Sequence, residues 1–388
     1  MSDMTVGLEQ PLRRHRFPDG HLGWLVTGYA AGRAILADPR FSQRPLRAVG
    51  GIDDGGFQEA LSGPESAGDL LRIDPPDHTR LRRLQTGYLT VRRVAEHREA
   101  VEGVVAACLD GMEEAGPPVD LVEMFAYPVP SLVLCDLLGV ARSDRGRFER
   151  PTGVLVDYAG SSLEQKKLAM DEFYAYLRGV IEQKRVQPGE DMLSELIASG
   201  ELNDNELAGV AFFLFAGGHH TTATMLSLSA FFLLSERKRW EIMRADLSGI
   251  DRAVEELLRY LNPINDPLPR TALEDVEIEG VLIKVGETVA VLTAQPSGDP
   301  EKLPDLDRFD PLRDPATGHL AFGHGRHMCL GQHLGRLELQ VALEGLMRRF
   351  PTLHLATSAA DVPLRRYAFP DHGGKPDLHG VEHLLVSW

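Results

Sequence analysis

Cys329 lies in the run Phe322-Gly-His-Gly-Arg-His-Met-Cys329-Leu-Gly331, which continues as Gln-His-Leu334-Gly-Arg336. A cysteine acts as a ligand or nucleophile in its thiolate form. Nearby cations and a helix N-terminus favour that form. Glycines around the sulfur let the backbone fold tightly. A strongly helical stretch, Leu330 to Phe350, follows at once. A thiolate on haem iron pushes electron density onto the metal and favours O–O cleavage. The plainer reading is a buried structural cysteine, and the glycine-punctuated spacing speaks against it.

Three further constellations carry chemistry. In Glu256-Leu-Leu-Arg259 the charged residues lie on one helix face. Such a bidentate pair holds a core together when a third partner completes it. In Asp74-Pro-Pro-Asp-His78-Thr-Arg-Leu-Arg82, His78 and Arg82 are four apart and share a face, as donors to an anion must. The plainer readings are a solvated helix pair and an exposed basic first turn. The third is Phe215-Ala-Gly217-Gly218-His219-His220-Thr221-Thr222. Each glycine inside a long helix costs roughly 1 kcal/mol against alanine. Close approach of a ligand, or of another helix, offsets that cost. His219 and His220 point about 100° apart, so only one of them can face a given pocket.

These residues need a helical scaffold. From Pro76 on, helical periodicity dominates, with helices expected over 78–85, 91–114, 121–138, 164–186 and 251–260. Asn203-Asp-Asn-Glu206 has capping-box spacing and opens a long apolar helix toward Ser235. Tyr29 to Leu36 reads as a short helix after a strand near Trp24. Residues 44–73 and 157–162 read as loops. After residue 270 the period changes to two, and Val276 to Leu292 reads as small strands with a glycine turn, as does the tail from Gly380 to Trp388. The fold class is therefore mainly α with minor β. Motifs from His78 to Arg336 bear on one site, so residues 1–388 read as a single domain.

The chain has 388 residues, 43% hydrophobic and 25% charged, with a formal charge of −16. That charge argues against nucleic-acid binding. No segment has the length and hydropathy of a membrane span, and the first twenty residues lack a signal-peptide core. Three scattered cysteines give no disulfide framework. A cytoplasmic protein with no membrane partner is expected.

The run around Cys329 resembles the haem-binding signature of the cytochrome P450 superfamily, soluble bacterial type, Phe-Gly-x-Gly-x-His-x-Cys-x-Gly, at every fixed position. The other motifs follow the family in order and spacing from about residue 20 to Trp388. The resemblance implies a P450 fold with haem b (iron protoporphyrin IX) between a long central helix and the cysteine loop. It implies Cys329 as the metal ligand, with Phe322 and Gly323 in the cofactor loop. His78, Arg82, Arg270 and His327 match contacts to the haem propionates. Gly217 and Gly218 match small residues that let haem and dioxygen approach a locally bulged helix, and Thr221 matches the threonine that hydrogen-bonds bound oxygen. Glu256 and Arg259 match the family's Glu-x-x-Arg motif. Arg308 looks like its third member, with Arg313 competing.

The chain departs from the pattern at His220, where the family usually has Asp or Glu serving proton delivery. An imidazole can relay protons but lacks a carboxylate's fixed charge. Ser297-Gly-Asp299-Pro300 and Gly335 are milder departures. Among possible pocket residues are 60–72, 158–163, 264–268 and 369–375, with Phe212, Phe213, Ala216, Ile264, Asn265 and Asp266 foremost and His372 as a polar contact.

The resemblance implies a monooxygenase that hydroxylates or epoxidises a small, mostly apolar molecule, as in natural-product biosynthesis. Electrons would come from NAD(P)H through an external ferredoxin and its reductase, docking near Arg83, Arg92, Arg93 and Arg326. Oxidative coupling, cyclisation or desaturation without oxygen insertion is the alternative at the same haem. A catalytically silent haem-binding partner protein is the alternative of another class. It sits poorly with the retention of both Cys329 and Thr221.

Overall fold

The computed structural model describes residues 11–17, 19–44, 67–156, 161–264, 267–293, 305, 306, 308–314, 318–366 and 378–388. Strands β1 (Leu12–Arg16) and β2 (Leu22–Val26) lead into helix α1 (Tyr29–Ala37) and strand β3 (Phe41–Ser42). Helices α2 (Asp77–Thr86), α3 (Val91–Glu96) and α4 (Arg98–Ala115) follow, then β4 (Val119–Asp120) and α5 (Pro128–Leu138). Next come α6 (Gly146–Val156), α7 (Leu163–Val186), α8 (Met192–Ser199), α9 (Asp204–Leu234), α10 (Arg237–Ala245) and α11 (Ile250–Leu261). Strands β5 (Leu268–Ala272), β6 (Val276–Ile278), β7 (Val281–Ile283) and β8 (Thr288–Val291) precede α12 (Gln332–Arg349). The chain closes with β9 (His354–Leu355), β10 (Leu364–Arg366), β11 (Leu378–Val381) and β12 (Leu385–Ser387).

Helix α9 is the axis of the molecule. The Asn203 side chain accepts the Glu206 amide at 3.0 Å, and Glu206 Oε2 accepts the Asn203 amide at 3.0 Å. This reciprocal cap fixes the helix start that the spacing predicts. Thirty-one residues long and apolar nearly all round, α9 is buried against α5, α7 and α12. Helix α12 in turn packs on α4 and α11, so the helix after Cys329 touches the central helix directly.

The N-terminal strands join the sheet of the later half. β2 runs parallel to β8, and β8 pairs antiparallel with β5, placing Arg270 opposite Val289. A sheet ordered β1-β2-β8-β5-β3 thus positions one predicted site residue. It carries its own apolar cluster, including Trp24, Ile35, Ile283 and Val291, beside the main helical core.

Two predicted helices differ from expectation. The stretch 91–114 breaks at His97 into α3 and α4. The stretch 121–138 opens with a π turn, Val122–Ala126, where the Tyr127 amide reaches back to the Val122 carbonyl at 3.1 Å. Pro128 follows. It lacks a donor and suits the first turn of a new helix, so the register shift falls just before it. Helices α6, α8 and α10 are short and were not expected from the periodicity.

Candidate active site

The cysteine loop is built as its glycines require. Gly323 (φ 68°) and Gly325 (φ 73°) are left-handed, and a Cβ on Gly325 would lie 2.4 Å from the Leu36 carbonyl. The loop therefore presses its backbone onto the end of α1. The Cys329 amide donates to the Phe322 carbonyl at 2.8 Å and closes the turn. The side chain is solvent-accessible, yet protein surrounds the opening. That surround pushes the thiol up. The Gly331 amide, Arg82 and Arg336 oppose it and stabilise the thiolate.

Four predicted donors converge here. The His78 and His327 rings sit 4.1 Å apart, and the Nε2 atoms of both are buried without a hydrogen-bond partner. Burial lowers His78, and the cations Arg82 and Arg326 add to the effect. Burial and His78 depress His327 to about 3. Arg270 is only 3% exposed, and its Nη1 donates to its neighbour's carbonyl, Pro269 O, at 2.7 Å. Its burial brings it down to about 10. Arg82 Nη2 donates to the Met328 carbonyl at 2.6 Å, beside the cysteine, and burial lowers its pKa also. Among the described residues none of the four bonds a carboxylate. Asp74 acts on His78, Arg270 and His327 through space but hydrogen-bonds none of them; polar groups left without such a partner are costly, so this arrangement suits an anionic ligand.

On α9 the two glycines do different things. A Cβ at Gly217 would meet nothing, whereas at Gly218 it would press on Leu134 of α5 at 3.3 Å. Gly217 leaves a face open, and Gly218 serves helix packing. Thr221 Oγ1 donates to the Gly217 carbonyl at 2.6 Å. The helix is unbroken α through this stretch, so the bulge implied by the resemblance is absent.

His220 turns toward α6, where its Nε2 lies 3.2 Å from Thr152 Oγ1. Thr152 already donates to the Phe148 carbonyl at 2.8 Å, so Nε2 carries the imidazole proton. Burial, helped by Arg365, lowers His220 to about 4, and it is neutral at pH 7. His219 is fully buried against Tyr127 and Phe215, with neither nitrogen hydrogen-bonded. Its nearest carboxylate, Glu149, is 3.9 Å away. Burial drives it well below its ordinary value.

The Glu256–Arg259 pair forms as predicted, bidentate at 2.7 and 2.9 Å and buried. The third guanidinium is that of Arg313, whose Nε donates to Glu256 at 3.1 Å. This corrects the choice of Arg308, which contributes only its backbone carbonyl, to Arg259 and Arg313. Two of the arginines expected at a docking surface have acidic partners within the chain. Arg83 pairs with Glu201 at 2.6 Å and Arg93 with Glu195 at 3.1 Å, which reduces what either offers an acidic partner.

The predicted pocket is met only partly. Phe212 is buried in an aromatic cluster with Phe173 and Tyr174 of α7, at 5.3 and 5.6 Å, and packs the core instead of lining a groove. Phe213 and Ala216 are half-buried on the core's edge. The Ile264 amide is tied to the Asn262 side chain at 3.1 Å. Asn265, Asp266, His372, residues 60–66, 158–160 and 369–375, and the segment Ser297 to Pro300 lie outside the described residues.

One buried and one half-buried group escaped sequence reading. Glu338, on α12, is enclosed by apolar neighbours. Burial raises it well above its ordinary value, against a hydrogen bond with Thr222. Its place in the stripe Leu334, Leu337, Val341 and Ala342 was the available signal. Glu255, beside Glu256, pairs with Arg336 across 81 residues. No local spacing announces that contact.

Residues 143–363 match the family model described as Cytochrome P450. The chain is 41% identical over 379 residues to cytochrome P450 105C1 of a Streptomyces species, covering 97% of this chain and 92% of that one. It is 38% identical to 6-deoxyerythronolide B hydroxylase of Saccharopolyspora erythraea, covering 95% and 90%. Among solved structures it resembles CYP105P1 in complex with filipin I, with TM-score 0.86 at 36% identity, covering 98% and 93%. Among the described residues no helix is long and apolar enough to cross a membrane.

Proposed function

The chain belongs to the cytochrome P450 family, and from that premise we propose that it hydroxylates or epoxidises a small, mostly apolar natural product. The observation that carries the reading is the accessible Cys329 sulfur beside four buried or half-buried donors, none of which hydrogen-bonds a carboxylate among the described residues. A doubly anionic porphyrin fits them, and the orphaned Nε2 atoms of His78 and His327 are the atoms it would satisfy. Haem iron held by a thiolate supplies dioxygen activation when bound.

The chain's own residues would divide the remaining work. Cys329 would hold the iron, with its anion supported by the Gly331 amide and by Arg82. Arg82, Arg270, His78 and His327 would hold the propionates. Gly217 leaves α9 bare where a ligand must approach. Thr221 keeps a proton on the Gly217 carbonyl and can turn its hydroxyl toward the groove. Neutral His220 can pass a proton between its nitrogens but does not store one at pH 7.

Residues 1–388 act as one domain in this reading, since β1 and β2 complete the sheet that carries Arg270. Electrons arrive from NAD(P)H through a ferredoxin and its reductase. Arg92 and Arg326 are the more available parts of the proposed dock.

Spin-state titration of the haem-loaded protein against macrolides and polyenes tests the substrate class. A saturable shift with such compounds is expected. A response to small polar compounds alone would overturn it. One observation favours the coupling or desaturation reading: the position of the family's usual acid holds a neutral imidazole. Turnover under labelled dioxygen separates the two, because coupling leaves no label in the product.

A further inference from the structure

A second carboxylate–arginine lock stands beside the one at Glu256, and it reaches the cysteine loop. Glu255 precedes Glu256 on α11 and so points about 100° away round the helix. Its carboxylate takes the Arg336 guanidinium from α12 in a fork, with Nε at 2.5 Å and Nη2 at 3.1 Å. Arg336 Nη1 also holds Gln332 Oε1 at 3.0 Å. His319 Nε2 lies 3.1 Å from the same carboxylate. The Ala321 amide donates to His319 Nδ1 at 3.1 Å, so the imidazole proton sits on Nε2 and points at Glu255. Burial pushes Glu255 up, and the bonds and charges of His319 and Arg336 outweigh it, bringing the carboxyl to about 2.

The guanidinium held this way lies over the Phe322 ring, 4.4 Å from its centroid. The carbonyl of that same Phe322 accepts the Cys329 amide. The cation is therefore one side chain away from the backbone that sets the cysteine's orientation. The Glu256 lock does something else. Its arginines bond the carbonyls of Asp305, Leu306 and Arg308. Arginine is the residue such a place needs. A planar fork can meet a carboxylate edge-on while its face covers a ring, and lysine cannot do both.

We propose that Arg336, oriented by Glu255, Gln332 and His319, is a positioning residue that fixes Phe322 and places a steady positive charge beside the Cys329 loop, raising the reduction potential of the centre. The inference rests on Cys329 being the ligand of haem iron. One electron received from an external one-electron donor, of the ferredoxin type, adds one negative charge there. No bond is made or broken. A cation nearby favours that state, and a carboxylate nearby opposes it.

The test is a potentiometric titration of haem-loaded wild type, Arg336→Gln and Glu255→Gln. Removing the cation lowers the midpoint, so that at fixed ambient potential the ferrous-to-ferric ratio falls about threefold or more. Removing the carboxylate frees the cation and raises the midpoint by a comparable factor. Opposite signs are the signature of charge. A merely structural lock moves both variants in the same direction. Shifts of the same sign, or none, would overturn the proposal. If Arg336→Gln does not fold, the sign in Glu255→Gln decides alone: upward supports, downward or nil overturns. The underlying reading fails separately, and visibly, if wild type itself lacks the thiolate-type Soret band with carbon monoxide.

Discussion

The two sides of the proposed haem site are built on opposite electrostatic plans. Around Cys329, four basic side chains from α2, β5 and the cysteine loop gather, with Asp74 nearby but no carboxylate hydrogen-bonded to any of them among the described residues. In the middle of α9 no side chain carries a fixed charge: His220 is neutral against Thr152, Thr221 donates to the Gly217 carbonyl, and His219 is sealed among aromatic rings. One side is incomplete without a ligand. The other holds only neutral groups and leaves room at Gly217. A region that binds a charged group keeps uncompensated charge, and a region that must hand protons on avoids fixed charge.

Arg270→Leu should break the first plan most severely. Losing one buried charge-assisted contact costs about 2–5 kcal/mol, and haem retention against an apoprotein acceptor should fall at least tenfold. Unchanged retention would mean that the cluster serves packing alone.

Glu338 lies on the seam between the two sides and sharpens the contrast. A buried acid raised above its unfolded value binds its proton in the folded state, so stability is greatest below the unfolded pKa and falls as pH rises above it. Denaturant titrations of wild type and Glu338→Gln at rising pH above the ordinary glutamate range should show the variant gaining on wild type. Parallel curves would show that the carboxyl is ionised.

His220 gives the reverse dependence. Its folded value, about 4, lies below the unfolded 6.5, so its contribution is full above 6.5 and is lost as pH falls toward 4. Between pH 7.5 and 5 this amounts to about 2 kcal/mol, and His220→Gln should lose that acid sensitivity. His220→Asp should also change the coupling of electrons to product, which peroxide release per NAD(P)H reports. The smallest effect belongs to Thr152→Val, which strips His220 Nε2 of its acceptor at a stability cost of about 1 kcal/mol. Its pH profile of coupling should move with that of the His220 variants. A flat profile would remove the imidazole from the proton path.

What sequence alone revealed follows the same divide. The cysteine loop is contiguous, so residue types and spacing carried most of its meaning. Glu256 and Arg259 are local partners and were equally legible. Their third partner was not, because Arg308 and Arg313 differ only in which one turns its guanidinium inward. Helix α9 was legible as an element through its Asn203 cap. The division of labour between Gly217 and Gly218 depended on Leu134, some eighty residues away in sequence. Phe212 looked like a lining residue because an apolar helix offers no clue to which neighbour covers each face. Glu255 and Glu338 went unread, because the partners that single them out, Arg336 and Thr222, lie far off in sequence.

The measurement that bears most directly on the account is the carbon monoxide difference spectrum of the reduced, haem-loaded protein beside Cys329→Ser. The account predicts a strongly red-shifted Soret band in wild type and its loss in the serine variant. A wild type without that band, or a serine variant that keeps it unchanged, would contradict it.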